Sequence, residues 1–205
     1  MSRPASVRVK ICGLTRRDDA LRAAELGADA LGFVFAPGSR RRADPEVAAR
    51  AVEELPPFVT AVGVFRDQPP AEVRRLVREC GLGLAQLHGG EDLSYLRQLE
   101  VPFLKAVSLN RAEDLALLER YPGVRTVLLD TGEGGTGRTF DWAWAVEACR
   151  SRRVVLAGGL TPENVAEAVR RVGPWAVDCC SGTEESPGVK DPERVRQFIR
   201  RAKGG

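Results

Sequence analysis

Two hydrophobic patterns alternate along the whole chain. Short runs of apolar and β-branched residues predict strands, and each is followed by a segment whose apolar residues recur every three or four positions, as on one face of a helix. Eight such pairs follow one another without a linker, from VRVKICG and RRDDALRAAELG to WAVDCCSG and DPERVRQFIRRA. Strands that alternate with helices in this way predict parallel βαβ units.

Eight consecutive strand and helix pairs favour one closed architecture, the (β/α)8 TIM barrel of the α/β class. An open, doubly wound sheet is the alternative that the pattern leaves open. The chain has 205 residues, which is enough for one barrel, so we expect a single catalytic domain over residues 1–205. If the barrel forms, its active site is built from the loops that follow the strands.

The amino-acid composition limits which kinds of partner the protein can bind and in which cellular compartment we expect it. Charged residues make up 29% of the chain, and no apolar segment approaches the roughly 20 residues of a membrane span. The first residues lack the apolar core of a secretory signal, so we expect a cytoplasmic protein with no membrane partner. The net charge is only +3, and basic residues are mixed with acidic ones except from Ser39 to Asp44, so we expect no nucleic-acid partner.

The five cysteines do not predict a metal site or a disulfide framework. Their number is odd, and they lack the paired spacing of zinc ligands. They are Cys12, Cys80, Cys149, Cys179 and Cys180.

Small and polar residues close the seventh and eighth predicted strands. They are Gly158, Gly159, Ser181 and Gly182. Barrels of this kind often bind a phosphate group between these two loops, where backbone N–H groups can approach the oxygens. Thr161 and Pro162 also predict a helix start after the first loop. These residues predict a phosphate site, and two ordinary strand-to-helix turns are the alternative.

Cys12 ends the first predicted strand, directly before Gly13. Residues two apart share a face of a strand, so Lys10 lies below Cys12 if both face the barrel interior. A nearby ammonium group favours the thiolate, which is a candidate general base or nucleophile. Asp178, in the eighth strand, could pair with Lys10 because the eighth strand adjoins the first in a closed barrel. A small buried apolar residue is the other interpretation of Cys12.

Asp130 ends the sixth predicted strand. A carboxyl group at the mouth of an apolar barrel is a candidate general acid, because partial burial raises its pKa. The alternative is that Asp130 braces the next loop.

The loop after Asp130, from Thr131 to Trp142, is rich in glycine and predicts a lid over a substrate. His88 is the only histidine. We interpret it as a strand-end residue bonded to a neighbouring loop rather than as a catalytic group.

Taken together, these motifs resemble the phosphoribosylanthranilate isomerases of tryptophan biosynthesis. The resemblance runs from Lys10 to Asp191 through KICGLT, GFVF with SRR, QLHG, LLD with GGTGRTFDW, LAGGL and SGTEESPGVKD. It implies an Amadori rearrangement, in which N-(5-phosphoribosyl)anthranilate becomes 1-(2-carboxyphenylamino)-1-deoxyribulose 5-phosphate. The implied partner is therefore a small phosphosugar, and the family uses no cofactor and no metal.

The resemblance also implies roles for single residues. Asp130 matches the family's general acid, which protonates the ribose ring oxygen, and Cys12 matches the general base, which takes the proton from C2. Arg41 matches the arginine that binds the anthranilate carboxylate, a contact that Arg40 or Arg42 could share. The family's usual Ser-Ser-Gly pattern is replaced here by Cys180-Ser181-Gly182, which affects one side chain at the phosphate site.

Two rival functions differ in the chemistry that they need. The histidine-pathway isomerase performs the same rearrangement, but its pattern has an aspartate where this chain has Cys12, and its substrate carries a second phosphate. An inactive barrel kept as a binding module would be expected to lose the acid or the base.

The sequence leaves monomer and homodimer open, and the apolar segment from Leu55 to Val59 is a candidate dimer contact.

Overall fold

A closed barrel of eight parallel strands forms the centre of the protein. The computed structural model describes residues 6–131 and 139–205. Each strand is hydrogen-bonded to the next in chain order, and the last pairs with the first. The strands are β1 (Arg8–Cys12), β2 (Ala30–Val34), β3 (Thr60–Phe65), β4 (Leu84–Leu87), β5 (Phe103–Ser108), β6 (Thr126–Asp130), β7 (Arg153–Leu156) and β8 (Ala176–Cys179). The predicted TIM barrel is confirmed, and the open sheet is excluded.

The helices surround the barrel. They are α1 (Arg17–Glu25), α2 (Pro45–Glu53), α3 (Pro70–Glu79), α4 (Leu93–Leu99), α5 (Trp142–Ala148), α6 (Val165–Val172) and α7 (Pro192–Ala202). Aspartates cap several of them: the carboxylates of Asp44 and Asp191 accept hydrogen bonds from the first backbone N–H groups of α2 and α7, and a proline follows each. Two short strands, β9 (Glu184–Ser186) and β10 (Val189–Lys190), form a hairpin before α7.

Two segments differ from the helices that the sequence predicts. The segment after β5 winds as a 3-10 helix, Ala112–Arg120. The helix expected to start at Thr161 begins only at Val165. The capping bonds predicted for Thr161 are nevertheless present: its hydroxyl accepts from the Glu163 N–H at 3.2 Å, and the Asn164 side chain accepts from the Thr161 N–H at 2.9 Å. The Val165 N–H also donates to the Thr161 carbonyl at 3.1 Å, so one turn precedes the regular helix.

The apolar core has two parts, one inside the barrel and one between the strands and the helices. The interior cluster consists of small and medium side chains, namely Leu104, Ala106, Leu128, Val155, Ala157 and Ala176. Side chains of the opposite strand faces pack against the helices in the larger outer cluster. In-register pairing places Lys10 beside Asp178, and their Nζ and Oδ1 atoms lie 2.8 Å apart. The predicted ion pair is confirmed.

Within the described residues, none of the helices has the length and apolar character needed to span a membrane.

Candidate active site

The strand ends predicted to carry the chemistry meet at one mouth of the barrel. A small pocket there is lined by residues from the ends of β6, β7 and β8, namely Asp130, Ala157, Gly158, Gly159, Leu160, Asp178, Cys180 and Ser181. The candidate acid therefore shares one pocket with three of the four residues predicted to bind phosphate, Gly158, Gly159 and Ser181; the fourth, Gly182, is not among the lining residues.

Cys12 lies at the same end of the barrel, at the end of β1. Its side chain is buried, and the Lys10 ammonium lies below it on the same face of the strand. A hydrogen bond from the Cys180 thiol lowers the pKa of Cys12 to about 7; burial opposes this change and the charge of Lys10 reinforces it. Cys12 is therefore thiolate in a substantial fraction of molecules near neutral pH.

The pKa of Asp130 is shifted in the opposite direction from that of Cys12. Burial raises the pKa of its carboxyl group to about 6, and the negative charge of Asp178 adds to the effect, while a hydrogen bond from the Thr131 backbone opposes it. A carboxyl group with this pKa keeps its proton in a useful fraction of molecules near pH 6 to 7. The mouth of the barrel therefore holds one acid and one base whose pKa values lie close together.

The ring of His88 faces this acid. Its Nε2 atom is 3.7 Å from Oδ2 of Asp130, and its backbone N–H donates to the Phe65 carbonyl at 2.8 Å. Burial lowers the pKa of His88 to about 4, and the charge of Lys105 contributes, so the ring is neutral at physiological pH. His88 does lie at the end of β4, as interpreted from sequence, but its backbone bond goes to the last residue of strand β3 rather than to a loop. The proximity to Asp130 was missed, because β4 and β6 are not adjacent and no spacing in the chain links the two residues.

Arg41 extends from the loop after β2 and forms an ion pair with Glu184. Its Nε and Nη2 atoms donate to the Glu184 carboxylate at 2.8 to 3.0 Å. Glu184 is also bound by the buried Lys190, at 3.3 Å. The neighbouring Arg40 and Arg42 are exposed. Sequence reasoning did not single out Glu184, although it lies within the SGTEESPGVKD motif.

The two turns predicted to bind phosphate lie side by side. Gly158 and Gly159 both have positive φ angles, 78° and 65°, a conformation that glycine adopts without strain. The second turn is a short 3-10 helix, Ser181–Thr183, which contains Ser181 and Gly182. Both turns present backbone groups to the shared pocket, a geometry that suits the oxygens of a phosphate.

A second buried ion pair supports the loop that carries His88. The ammonium of Lys105 contacts Glu91 at 2.8 Å and the carbonyl oxygens of Leu87, Gly89 and Ala106 at 2.7 to 3.2 Å. Glu91 in turn accepts hydrogen bonds from the backbone N–H groups of Asp67 and Gly89. This network joins the ends of β3, β4 and β5.

Other expectations concern metals and the lid. Residues 6–131 and 139–205 contain no cluster of three or more His, Cys, Asp or Glu side chains arranged to hold a metal ion. The centre of the predicted lid, residues 132–138, lies outside the described residues.

Comparison with known proteins connects this geometry to one family. The family model described as N-(5'phosphoribosyl)anthranilate (PRA) isomerase matches residues 9–201. The chain belongs to this family. The N-(5'-phosphoribosyl)anthranilate isomerase of Trichlorobacter lovleyi is 51% identical over 204 residues, which cover 96% of this chain and 98% of the relative.

Solved structures of phosphoribosylanthranilate isomerases share the fold. The enzyme from Thermus thermophilus is 49% identical, with a TM-score of 0.86 over 95% of this chain and 98% of that one. Another phosphoribosylanthranilate isomerase was crystallised with reduced 1-(o-carboxyphenylamino)-1-deoxyribulose 5-phosphate. It is 42% identical, with a TM-score of 0.89 over 97% of this chain and 100% of that one.

Proposed function

We propose that this chain catalyses the Amadori rearrangement of N-(5-phosphoribosyl)anthranilate, with Asp130 as the general acid and Cys12 as the general base. The observation that carries the assignment is the pairing of a carboxyl group of raised pKa with a thiol of lowered pKa at one barrel mouth. Membership of the isomerase family supports the reaction class.

Asp130 acts first. Its proton passes to the ring oxygen of the ribose, the bond from C1 to that oxygen breaks, and the anthranilate nitrogen forms a Schiff base with C1. A carboxyl group suits this step because burial keeps it protonated at a pH where an exposed aspartate is ionised. His88, neutral and beside Asp130, does not compete as a charged donor.

Cys12 acts second. Its thiolate removes the proton from C2, and the electrons of that bond flow to the Schiff base to give an enolamine. The enolamine then tautomerises to the ketone. A thiolate is present near neutral pH because Cys180 and Lys10 stabilise it.

The two ends of the substrate determine its orientation. We assign the phosphate group to the turns of Gly158, Gly159, Ser181 and Gly182, of which the first three residues line the pocket. Arg41 is assigned to the anthranilate carboxylate. Because Glu184 occupies its Nε and Nη2 edge, the substrate carboxylate would meet the opposite edge, formed by the two Nη atoms.

We further propose that residues 1–205 form one catalytic domain. Of the two assembly states that the sequence leaves open, we propose the homodimer. The proposal rests on the predicted contact segment from Leu55 to Val59, in which the Phe58 ring is 95% exposed and therefore accessible to a second copy.

The assignment is tested by the turnover of enzymatically generated phosphoribosylanthranilate, followed by the loss of its fluorescence. We expect the Cys12→Ser and Asp130→Asn variants each to lose at least about 10²-fold in kcat, the size typical of a positioned acid or base. Asp18→Asn and Cys149→Ser, which lie outside the pocket, serve as matched controls and should stay within about twofold of wild type.

Three outcomes separate the reaction from its mechanism. A large loss in both variants with intact controls supports the whole assignment. An active wild type with unharmed variants contradicts the roles of Cys12 and Asp130 but retains the reaction. A wild type that does not turn over this substrate contradicts the reaction itself.

A further inference from the structure

Cys180 is a second thiol at the barrel mouth, and it is held in a defined place. Its carbonyl oxygen accepts a hydrogen bond from Lys190 Nζ at 2.8 Å and another from the Thr183 hydroxyl at 3.0 Å. Lys190 is buried, so this anchor is shielded from water.

The thiol of Cys180 occupies space that Gly13 leaves open. Gly13 follows Cys12 and has a φ of +78°, and a Cβ atom built on it would lie only 2.6 Å from the Cys180 sulfur. The sulfur therefore packs directly against the backbone that carries Cys12. The pairing of Ile11 with Cys179 on β1 and β8 brings the two following residues, Cys12 and Cys180, next to each other.

The Cys180 proton has two candidate acceptors, and one of them is already saturated. Oε1 of Glu184 lies 3.9 Å from the Cys180 sulfur. That oxygen already accepts from Arg41 Nε at 2.8 Å, from the Gly188 N–H at 3.2 Å and from Lys190 Nζ at 3.3 Å. The other acceptor is the Cys12 sulfur, because the pairing of β1 with β8 places Cys12 beside Cys180. A thiolate there is a far better acceptor for a weak S–H donor than a saturated carboxylate oxygen.

The surrounding charges decide which sulfur is the anion. Cys12 lies near the charges of Lys10 and Asp178. Cys180 faces Arg41, Lys190 and Glu184. The cations near Cys180 direct their N–H groups to Glu184 and to the Cys180 carbonyl rather than to its sulfur. The charge of Lys10 therefore favours the anion on the Cys12 sulfur.

We propose that Cys180 is a positioning residue whose S–H donates a hydrogen bond to the Cys12 sulfur and stabilises the thiolate that removes the substrate proton. The proposal rests on the function proposed above for Cys12. It gives a role to the side chain at which this sequence departs from the family's usual serine, a residue that could donate the same bond through its hydroxyl. The lowered pKa of Cys12 and the raised pKa of Cys180 agree with a shared proton that stays on Cys180.

The test measures the ionisation of Cys12 without using the reaction. Alkylation by iodoacetamide is followed at each cysteine by mass spectrometry as a function of pH, because only the thiolate reacts. In the wild type, Cys12 should react with a midpoint near pH 7 and Cys180 should stay unmodified. Cys180→Ala should move the Cys12 midpoint to higher pH by about one pH unit, the size expected when a hydrogen bond to a charged group is lost. Cys180→Ser should keep the midpoint near the wild-type value, and Cys149→Ser is the matched control.

The same variants are then assayed for turnover across pH. If Cys12 is the base, the limb of the kcat/KM profile that reports it should move with the alkylation midpoint in Cys180→Ala, and activity at pH 6 should fall about tenfold. An unchanged midpoint in Cys180→Ala, or alkylation of Cys180 in place of Cys12, overturns the proposal. If the alkylation midpoint moves but the kcat/KM profile does not, the hydrogen bond from Cys180 is supported and the role of Cys12 as the base is contradicted. A failure of this proposal can therefore be distinguished from a failure of the proposed function.

Discussion

Three lysine–carboxylate pairs are buried in the described part of the chain. Two of them, Lys105–Glu91 and Lys10–Asp178, differ in how completely the lysine is surrounded by acceptors. On the outer side of the barrel wall, the side chains of Lys105, in β5, and of Glu91 are 1% and 0% exposed. The Lys105 ammonium also contacts three backbone carbonyl groups. Inside the barrel, Lys10 and Asp178 are 5% and 8% exposed. Lys10 has one carboxylate oxygen at 2.8 Å and directs its remaining charge toward Cys12.

This difference indicates that Lys105–Glu91 serves mainly to stabilise the fold, whereas Lys10–Asp178 also acts on the ionisation of Cys12. A buried charge is tolerated only when its hydrogen-bonding capacity is filled, and Lys105 meets that condition within the protein. Lys10 meets it only with the help of Cys12, so part of its electrostatic effect acts on a group that we propose to be reactive. Removing either lysine should therefore produce a different kind of defect.

The largest effect is expected from Lys105→Met. This change leaves the fully buried Glu91 carboxylate without its cation, and breaking a buried pair in this way costs about 3 to 5 kcal/mol of unfolding free energy. Denaturation in urea measures the loss. The control is Arg75→Met, which breaks the exposed pair with Glu79 and should cost at most about 1 kcal/mol. Equal losses in the two variants would show that the Lys105 network does not stabilise the fold.

Lys10→Met should be defective in catalysis as well as in stability, because it also leaves the buried Asp178 carboxylate without its cation. Without the ammonium, Asp178 remains next to Cys12 and disfavours the thiolate, so kcat/KM at pH 7 should fall about 10²-fold. The comparison is Lys105→Met assayed below its unfolding temperature, which should lose less than about tenfold per folded molecule. If Lys105→Met were the more severely inactivated variant, the division of roles would be reversed.

The smallest effect is a change in the pH profile of Asp178→Asn. The Asp178 charge raises the pKa of both Asp130 and Cys12, so its removal lowers both values. Activity needs Asp130 protonated and Cys12 ionised, which predicts a bell-shaped profile with an optimum between about pH 6 and 7. Both limbs should move to lower pH by about half a unit. Glu91→Gln, in the outer pair, should leave the limbs in place; movement in both variants would contradict the comparison.

The sequence predicted those features that follow from strand periodicity. The eight strands, the closure of the barrel and the Lys10–Asp178 pair all follow from which residues share a face and which strands adjoin. The bond between Arg41 and Glu184 could not be found in this way, because the two residues are 143 positions apart. Arg41 lies in a loop and Glu184 in the short hairpin strand β9, outside the barrel. The turn between Thr161 and the start of α6 was missed because it depends on side-chain hydrogen bonds of Thr161 and Asn164, which the hydrophobic pattern does not report.

The closure of β1 against β8 also has a consequence for synthesis of the chain. Lys10 emerges from the ribosome 168 residues before Asp178, its partner. At typical translation rates of about 5 to 20 residues per second, this delay lasts on the order of ten seconds. Throughout that time the nascent chain has no carboxylate for this lysine, and burying it unpaired would be costly. We therefore expect the first strand to stay hydrated until the last one arrives, and the barrel mouth to form as one of the final events of folding.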